Sequence, residues 1–202
     1  MKRTSHLIIG IFTGLLFLIT FNLSAFSYNC NEIRNNVIRL HVIANSDSEK
    51  DQDIKLKVRD AVLLEGAAIF DGSVTIDNAI AEITPNIDKI ISTAEKIINI
   101  NGETYSATAV LTTEFFDTRV YDNNLTLPAG KYLALKIILG EGKGQNWWCI
   151  MFPALCLPAA TENSDINMTF SDAQTKIIAN DGRYRIKFKI VEILEKLKEG
   201  DI

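Results

Sequence analysis

The chain begins with a long apolar segment that carries no charge. Lys2 and Arg3 come first, and no charged side chain follows between Leu7 and Phe26. This length is close to what an α-helix needs to cross the hydrocarbon core of a membrane. Basic residues before such a segment keep the N-terminus in the cytoplasm. The rest of the chain is therefore predicted to be exported.

The end of this segment is compatible with two outcomes. Ala25 and Ser27 are small residues at the spacing that a signal peptidase uses, so cleavage before Tyr28 is possible. Retention as an anchor fits the pattern equally well. We therefore predict a signal peptide or membrane anchor over residues 1–27 and one globular domain over residues 28–202.

A strand followed by a helix is predicted directly after the leader. Val37–Ala44 is rich in β-branched residues and alternates polar with apolar positions, which is typical of a strand. Ser46 and Glu49 then have the spacing of a capping box, and an amphipathic helix is predicted from there to about Phe70.

The later part of the chain predicts more helices and strands. Ile76–Ile100 has helical character with an interruption at Pro85, and Tyr105–Thr112 alternates like a half-buried antiparallel strand. Lys131–Leu139 is apolar on both faces and is predicted to be a central strand. A terminal helix is predicted from about Ile190. The order of elements indicates a single α+β domain, with a mostly antiparallel sheet packed with helices.

The charge of the exported part argues against nucleic acid as a partner. The leader contains two of the 21 basic residues and none of the 25 acidic ones, so 19 basic and 25 acidic residues remain, a net charge of −6. Phosphate binding needs clustered Lys and Arg, whereas basic and acidic residues alternate here. We expect no nucleic acid, no cofactor and no small-molecule substrate.

The three cysteines suggest a disulfide and no metal site. Cys149 and Cys156 lie close in sequence, and an exported domain permits a disulfide between them. Such a bond would leave Cys30 free or available for an intermolecular bond. His41 is the one histidine outside the leader, so the spacing of a zinc site is missing.

Two motifs could carry enzyme chemistry. Gly140–Gly144 is a glycine-rich loop after a strand, but it lacks the Walker spacing and is predicted to be a turn. Cys149 could act as a nucleophile with His41 as its base and Asp47 to orient the imidazole, as in a thiol-dependent hydrolase. This arrangement remains the alternative to a binding function.

A polar set on the first strand, turn and helix could instead form a recognition surface. Its candidate residues are Arg39, His41, Asn45, Asp47, Asp51, Arg59 and Asp60. Trp147 and Trp148 are added because adjacent side chains on an extended segment point to opposite sides. The less buried tryptophan is predicted to contact a partner, since tryptophan is enriched among residues that dominate binding energy.

Two long segments carry a family resemblance. VIRLHVIANSDSEKDQDIKLKVRDAVL, which begins at Val37, and LPAGKYLALKIILGEGKGQNWWCIMFPALC, which begins at Leu127, resemble the stage II sporulation protein R family of endospore-forming bacteria. The similarity extends from about Asn35 to the C-terminal helix. The family supplies no catalytic residues to carry over to this chain.

The resemblance implies an intercellular signal. Such a protein is made in the forespore and exported to the intermembrane space, where it activates a membrane-embedded aspartic protease of the mother cell. That protease processes the inactive precursor of sigma factor E. On this hypothesis the chain is a protease activator and not an enzyme.

Overall fold

The computed structural model describes residues 2–70, 73, 75–121, 125–153, 169–179 and 182–200. Six α-helices, one 3-10 turn and six strands lie in this part of the chain. In chain order they are α1 (Lys2–Asn35), β1 (Ile38–Ile43), α2 (Glu49–Ile69), α3 (Ile76–Ile83), the 3-10 turn (Thr84–Asn86), α4 (Ile87–Ile100), β2 (Ala107–Phe116), β3 (Arg119–Val120), β4 (Thr126–Leu127), β5 (Gly130–Leu139), β6 (Asn146–Phe152), α5 (Asp172–Ile178) and α6 (Arg185–Glu199).

The main sheet has four strands in the order β2-β5-β1-β6. β5 pairs antiparallel with β2, and β1 pairs antiparallel with β6, while β1 and β5 run parallel. β3 and β4 form a separate antiparallel ribbon. The predicted α+β class with a mostly antiparallel sheet is confirmed, and β5 is an interior strand, as its apolar sequence indicates.

Each face of the sheet packs on its own hydrophobic core. On the first face, alternate residues of β1 such as Leu40 and Val42 are buried against Ile54 and Val58 of α2, and α4 joins the same core. On the second face, Tyr132 of β5 packs with residues from the end of α1, from α5 and from α6. Alternation along each strand distributes its side chains between these two cores.

Several predicted boundaries change in the structure. The N-cap of α2 is Ser48, whose side chain accepts a hydrogen bond from the Asp51 backbone N–H. The capping box predicted at Ser46 is therefore wrong, because the Ser46 hydroxyl donates to the Asp51 carboxylate instead. Pro85 lies in the 3-10 turn between α3 and α4, which confirms the predicted interruption.

Helix α1 connects the apolar segment to the domain without a break. By length and composition, His6–Asn35 could cross a membrane, and its most apolar part is not buried by the rest of the chain. The helix continues through residue 27 into the second core, where Phe26 is 4% exposed. The Phe26 ring lies 5.5 Å from the Tyr184 ring and 5.3 Å from the Phe188 ring. A boundary at residue 27 thus falls inside a packed helix.

Candidate partner-binding surface

A polar network crosses the second face of the sheet beyond the part covered by α1, α5 and α6. His41 Nδ1 on β1 lies 2.6 Å from Glu114 Oε2 on β2, and Lys136 Nζ on β5 donates to Glu114 Oε1 at 2.7 Å. His41 Nε2 lies 3.0 Å from Asn146 Oδ1 on β6. On the same face Val110 is 49% exposed. The network therefore joins all four strands next to an exposed part of the sheet.

Glu114 is the centre of this network. Burial alone would raise the pKa of its carboxyl group, but the hydrogen bonds from Lys136 and His41 outweigh burial and lower that pKa. The carboxylate is therefore ionised at neutral pH and fixes the orientation of the His41 ring and of the Lys136 ammonium group. These hydrogen bonds link charged and polar side chains of β1, β2 and β5 in one network.

Arg39 lies on the same face but is fully buried, with 0% exposure. Its guanidinium carbon lies 4.1 Å from the centre of the Phe116 ring and 5.1 Å from that of Tyr132, and Nη2 donates to the Tyr121 hydroxyl. Burial lowers the pKa of Arg39 from its ordinary value. Aromatic faces stabilise a cation at these distances, so the guanidinium stays charged in its buried position.

The two tryptophans point to opposite sides of the edge strand β6, as predicted. Trp148 stacks on His41 with ring centres 5.5 Å apart, and Arg119 lies over its ring at 4.8 Å. Trp147 is the less buried of the two at 36% exposure, and Arg59 lies over its ring at 4.5 Å. We call Trp147, Trp148, Arg59 and Arg119 the tryptophan edge. It places a cation on an indole on each side of one strand.

The remaining predicted residues divide between support and surface. Asp51 is buried and accepts hydrogen bonds from Asn45, Ser46 and Tyr105 at 2.6–2.9 Å. Burial would raise the Asp51 pKa, but these hydrogen bonds outweigh burial and lower it. Asn45 and Asp51 therefore hold the turn that contains Asp47. Asp60 pairs with Arg59 at 2.7 Å, beside the tryptophan edge. The structure thus brings Arg39, His41 and Trp148 together and places Arg59, Asp60 and Trp147 on the other side of β6.

The glycine-rich loop, residues 140–144, packs closely against the backbone that follows β1 and is not a phosphate site. The loop makes backbone hydrogen bonds to residues just after β1. The Lys143 N–H donates to the Asn45 carbonyl, and the Gly144 N–H donates to the Ala44 carbonyl. A Cβ atom on Gly144 would lie 2.2 Å from the Ser46 carbonyl oxygen. Glycine is required here because two backbone segments touch.

The thiol-hydrolase arrangement predicted from the sequence is wrong. Cys149 lies in the first core, opposite Leu40, whereas His41 lies on the other face, opposite Trp148. The carboxylate that bonds to His41 belongs to Glu114 and not to Asp47.

The cysteines are in different states. Cys149 is disulfide-bonded, and Cys30 is a buried free thiol. Cys156 lies outside the described residues, so its pairing with Cys149 stays a prediction. Within the described residues, no group of three His, Cys, Asp or Glu side chains could hold a metal ion.

Glu114, Lys136 and Arg119 belong to the surface but were not found from the sequence. Glu114 lies 73 positions from His41 along the chain. Lys136 is a charged residue at an alternate position of a predicted strand, which was an available signal, whereas Glu114 lies two residues past the predicted end of its strand at Thr112. Its partner depends on strand order and register, which one strand's pattern does not fix.

These features define a class of protein: an α+β domain on an apolar helix long enough to cross a membrane, with cationic and aromatic side chains gathered on one part of its sheet. The chain belongs to the stage II sporulation protein R family, whose description matches residues 34–162. It is similar to "Stage II sporulation protein R" of Bacillus subtilis (strain 168), with 37% identity over 124 residues. These residues are 61% of this chain and 55% of the relative, so the match spans about half the relative's length. No solved structure matches the chain. Family membership gives the protein a role in sporulation.

Proposed function

We propose that this protein is an exported intercellular signal of sporulation that activates a membrane-embedded aspartic protease of the mother cell. The activated protease would then process the inactive precursor of sigma factor E. The observation that carries the proposal is the family match over residues 34–162, which contains all six strands and the tryptophan edge. The apolar helix α1 supports export from the forespore to the intermembrane space.

The proposed mode of action is binding and not catalysis. The sheet holds His41, Glu114 and Lys136 in one network, and β6 carries a cation on an indole at each face. Such a fixed surface suits recognition of a protein, because little side-chain entropy is lost when the complex forms. We propose that this surface contacts the outward-facing part of the protease.

Complementation in sporulating cells tests the proposal. Bacillus subtilis cells that lack their own stage II sporulation protein R would express this full chain in the forespore. The expected result is conversion of the sigma-E precursor, followed by immunoblot. If the exported, folded protein accumulates at normal levels and the precursor stays unprocessed, the proposed function is wrong.

A truncated chain separates export from folding. Residues 22–202, expressed without the first 21 residues, keep Phe26 in the second core while shortening the apolar helix. This form should remain folded inside the forespore and produce no processing. Normal signalling from the trapped form would contradict an action outside the forespore. A truncation at residue 28 would be a poorer control, since it also removes a core side chain.

A further inference from the structure

Arg39 is a buried cation without an anionic partner among the described residues. Its Nη2 donates to Tyr121, whereas Nε and Nη1 have no hydrogen-bond acceptor in the described part of the chain. A buried charge with unsatisfied donors is costly, and a single tyrosine hydroxyl cannot satisfy a group with five N–H donors. An arginine that served stability alone would be expected to have a carboxylate or several carbonyls around it.

Arg39 lines a cavity of about 380 Å³ beside the tryptophan edge. Arg119 and Trp148 also line it, so two arginines border one space. Asp117 also lines the cavity, but its side chain is 67% exposed and its carboxylate is paired with Lys196 at 2.7 Å. The charge left facing the cavity is therefore positive.

We propose that this cavity binds a carboxylate group carried by a polypeptide, namely an acidic side chain next to an apolar one. Two guanidinium groups are the donors that proteins use to hold a carboxylate, and charge-assisted bonds are the stronger ones. The cavity is much larger than one carboxylate, and Phe116, Val120 and Trp148 supply apolar walls for the carbon atoms beside it. The inference rests on the proposed function in one respect only, which is the identity of the protein that supplies the carboxylate.

Fluorescence of Trp148 gives a direct binding test that does not involve the protease. The full chain in detergent micelles would carry Trp147→Phe, which leaves Trp148 as the remaining tryptophan. The probes are a short capped peptide with one glutamate beside a phenylalanine and the same peptide with glutamine. Saturable quenching or a spectral shift is expected with the glutamate peptide, and binding at least about tenfold weaker, or about 1.4 kcal/mol, with the glutamine peptide.

Two arginines provide a matched pair of variants. Arg119→Gln removes an exposed cation from the cavity and should weaken binding of the glutamate peptide at least about tenfold, or about 1.4 kcal/mol. Arg185→Gln removes an exposed cation at the start of α6 that does not line the cavity, and should leave binding unchanged. Arg39→Met should abolish binding while the melting temperature stays equal or rises, because an apolar residue replaces an unpaired buried charge.

Several outcomes would overturn the inference. Equal affinity for the two peptides would show that the cavity does not recognise a carboxylate. If acetate or phosphate reproduced the whole effect at the same concentration, the cavity would be a small-anion site only. A large loss of stability in Arg39→Met, together with unchanged binding in Arg119→Gln, would make Arg39 a structural cation. Because these tests need no protease, failure of the cavity inference leaves the proposed function standing, and the reverse also holds.

Discussion

At the scale of single residues, Glu114 joins three strands through two hydrogen bonds. Because its pKa is lowered from the ordinary value of 4.5 in the folded state, the ionised carboxylate stabilises the fold above that pH. The contribution is lost as the pH falls through the lower, folded-state pKa. Glu114→Gln should therefore reduce the free energy of unfolding at pH 7 by about 1–3 kcal/mol. Denaturant unfolding of the full chain in detergent micelles measures this loss.

Glu141→Gln is the matched control for that prediction. Glu141 also pairs with a lysine, Lys143 at 2.8 Å, but both side chains are exposed. An exposed pair contributes little, so this variant should unfold like the parent chain at every pH. The difference between Glu114→Gln and the parent should shrink as the pH falls below 4.5 and through the lowered folded-state pKa of Glu114. A difference that stayed constant with pH would show that the Glu114 carboxylate does not act through its charge.

Trp147 carries the prediction about recognition at the residue scale. It is 36% exposed, and its partner Arg59 lies over the ring without enclosing it. Trp147→Ala should weaken activation of the protease by about 2 kcal/mol of binding energy while thermal stability stays nearly unchanged. The processing assay and a thermal melt give the two readouts. Leu64→Ala is the control, because it removes an exposed apolar side chain from α2. It should change neither the processing of the precursor nor the thermal stability. A stability loss as large as the functional loss would assign Trp147 to the fold alone.

At the scale of elements, some parts of the fold could be predicted because one period dominates the segment. β1 and β5 have strand patterns bounded by turn residues, and α2 has a long amphipathic pattern, so all three were found. β6 was not assigned as a strand, because Trp147 to Phe152 is a continuous apolar run without alternation. The last helix begins at Arg185 rather than near Ile190. Its start was predicted too late because Tyr184, Ile186 and Phe188 alternate in the sequence as the residues of a strand would. A short pattern that fits both periods is resolved only by tertiary packing.

The sequence predicted some residues of the candidate surface but not the contacts between them, because those contacts depend on tertiary packing. Arg39 and His41 stood out as polar positions on an apolar strand, whereas their partners on β2 and β5 could not be named before strand order was known. Asn45 and Asp51 looked like recognition residues because polar turn residues and binding residues have the same composition. Their hydrogen bonds to each other and to Tyr105 show that they hold the turn.

Helix α1 gives a prediction at the element scale, because its end belongs to the second core. Phe26 is 4% exposed and touches the rings of Tyr184 and Phe188. Phe26→Ala should lower the free energy of unfolding of the domain by about 3 kcal/mol through the lost burial and the cavity left behind. Phe21→Ala is the control on the same helix, since Phe21 is 66% exposed. Equal stability of the two variants would mean that α1 does not support the domain.

At the scale of the whole molecule, charge and hydrophobicity are separated along the chain. The uncharged segment between Leu7 and Phe26 follows two basic residues, and the rest of the chain has a net charge of −6. A net negative charge favours solubility in water and gives the domain no overall electrostatic attraction to anionic lipid. The apolar helix, rather than the surface of the domain, is therefore the part that can hold the protein at a membrane.

The last prediction is that the apolar helix is retained as an anchor after export. α1 is continuous from Lys2 to Asn35, and side chains before residue 28 bond to α6, as Lys187 Nζ does to Asn22 Oδ1 at 2.5 Å. Cleavage before Tyr28 would remove Phe26 from the core, so the intact chain is the stable form. Intact-mass analysis of the membrane fraction should give the full-length chain, and alkaline carbonate should not release it. A soluble species that begins at Tyr28 and signals normally would contradict this prediction. A retained anchor would confine the signal to places where the two membranes lie close enough for the domain to reach the protease.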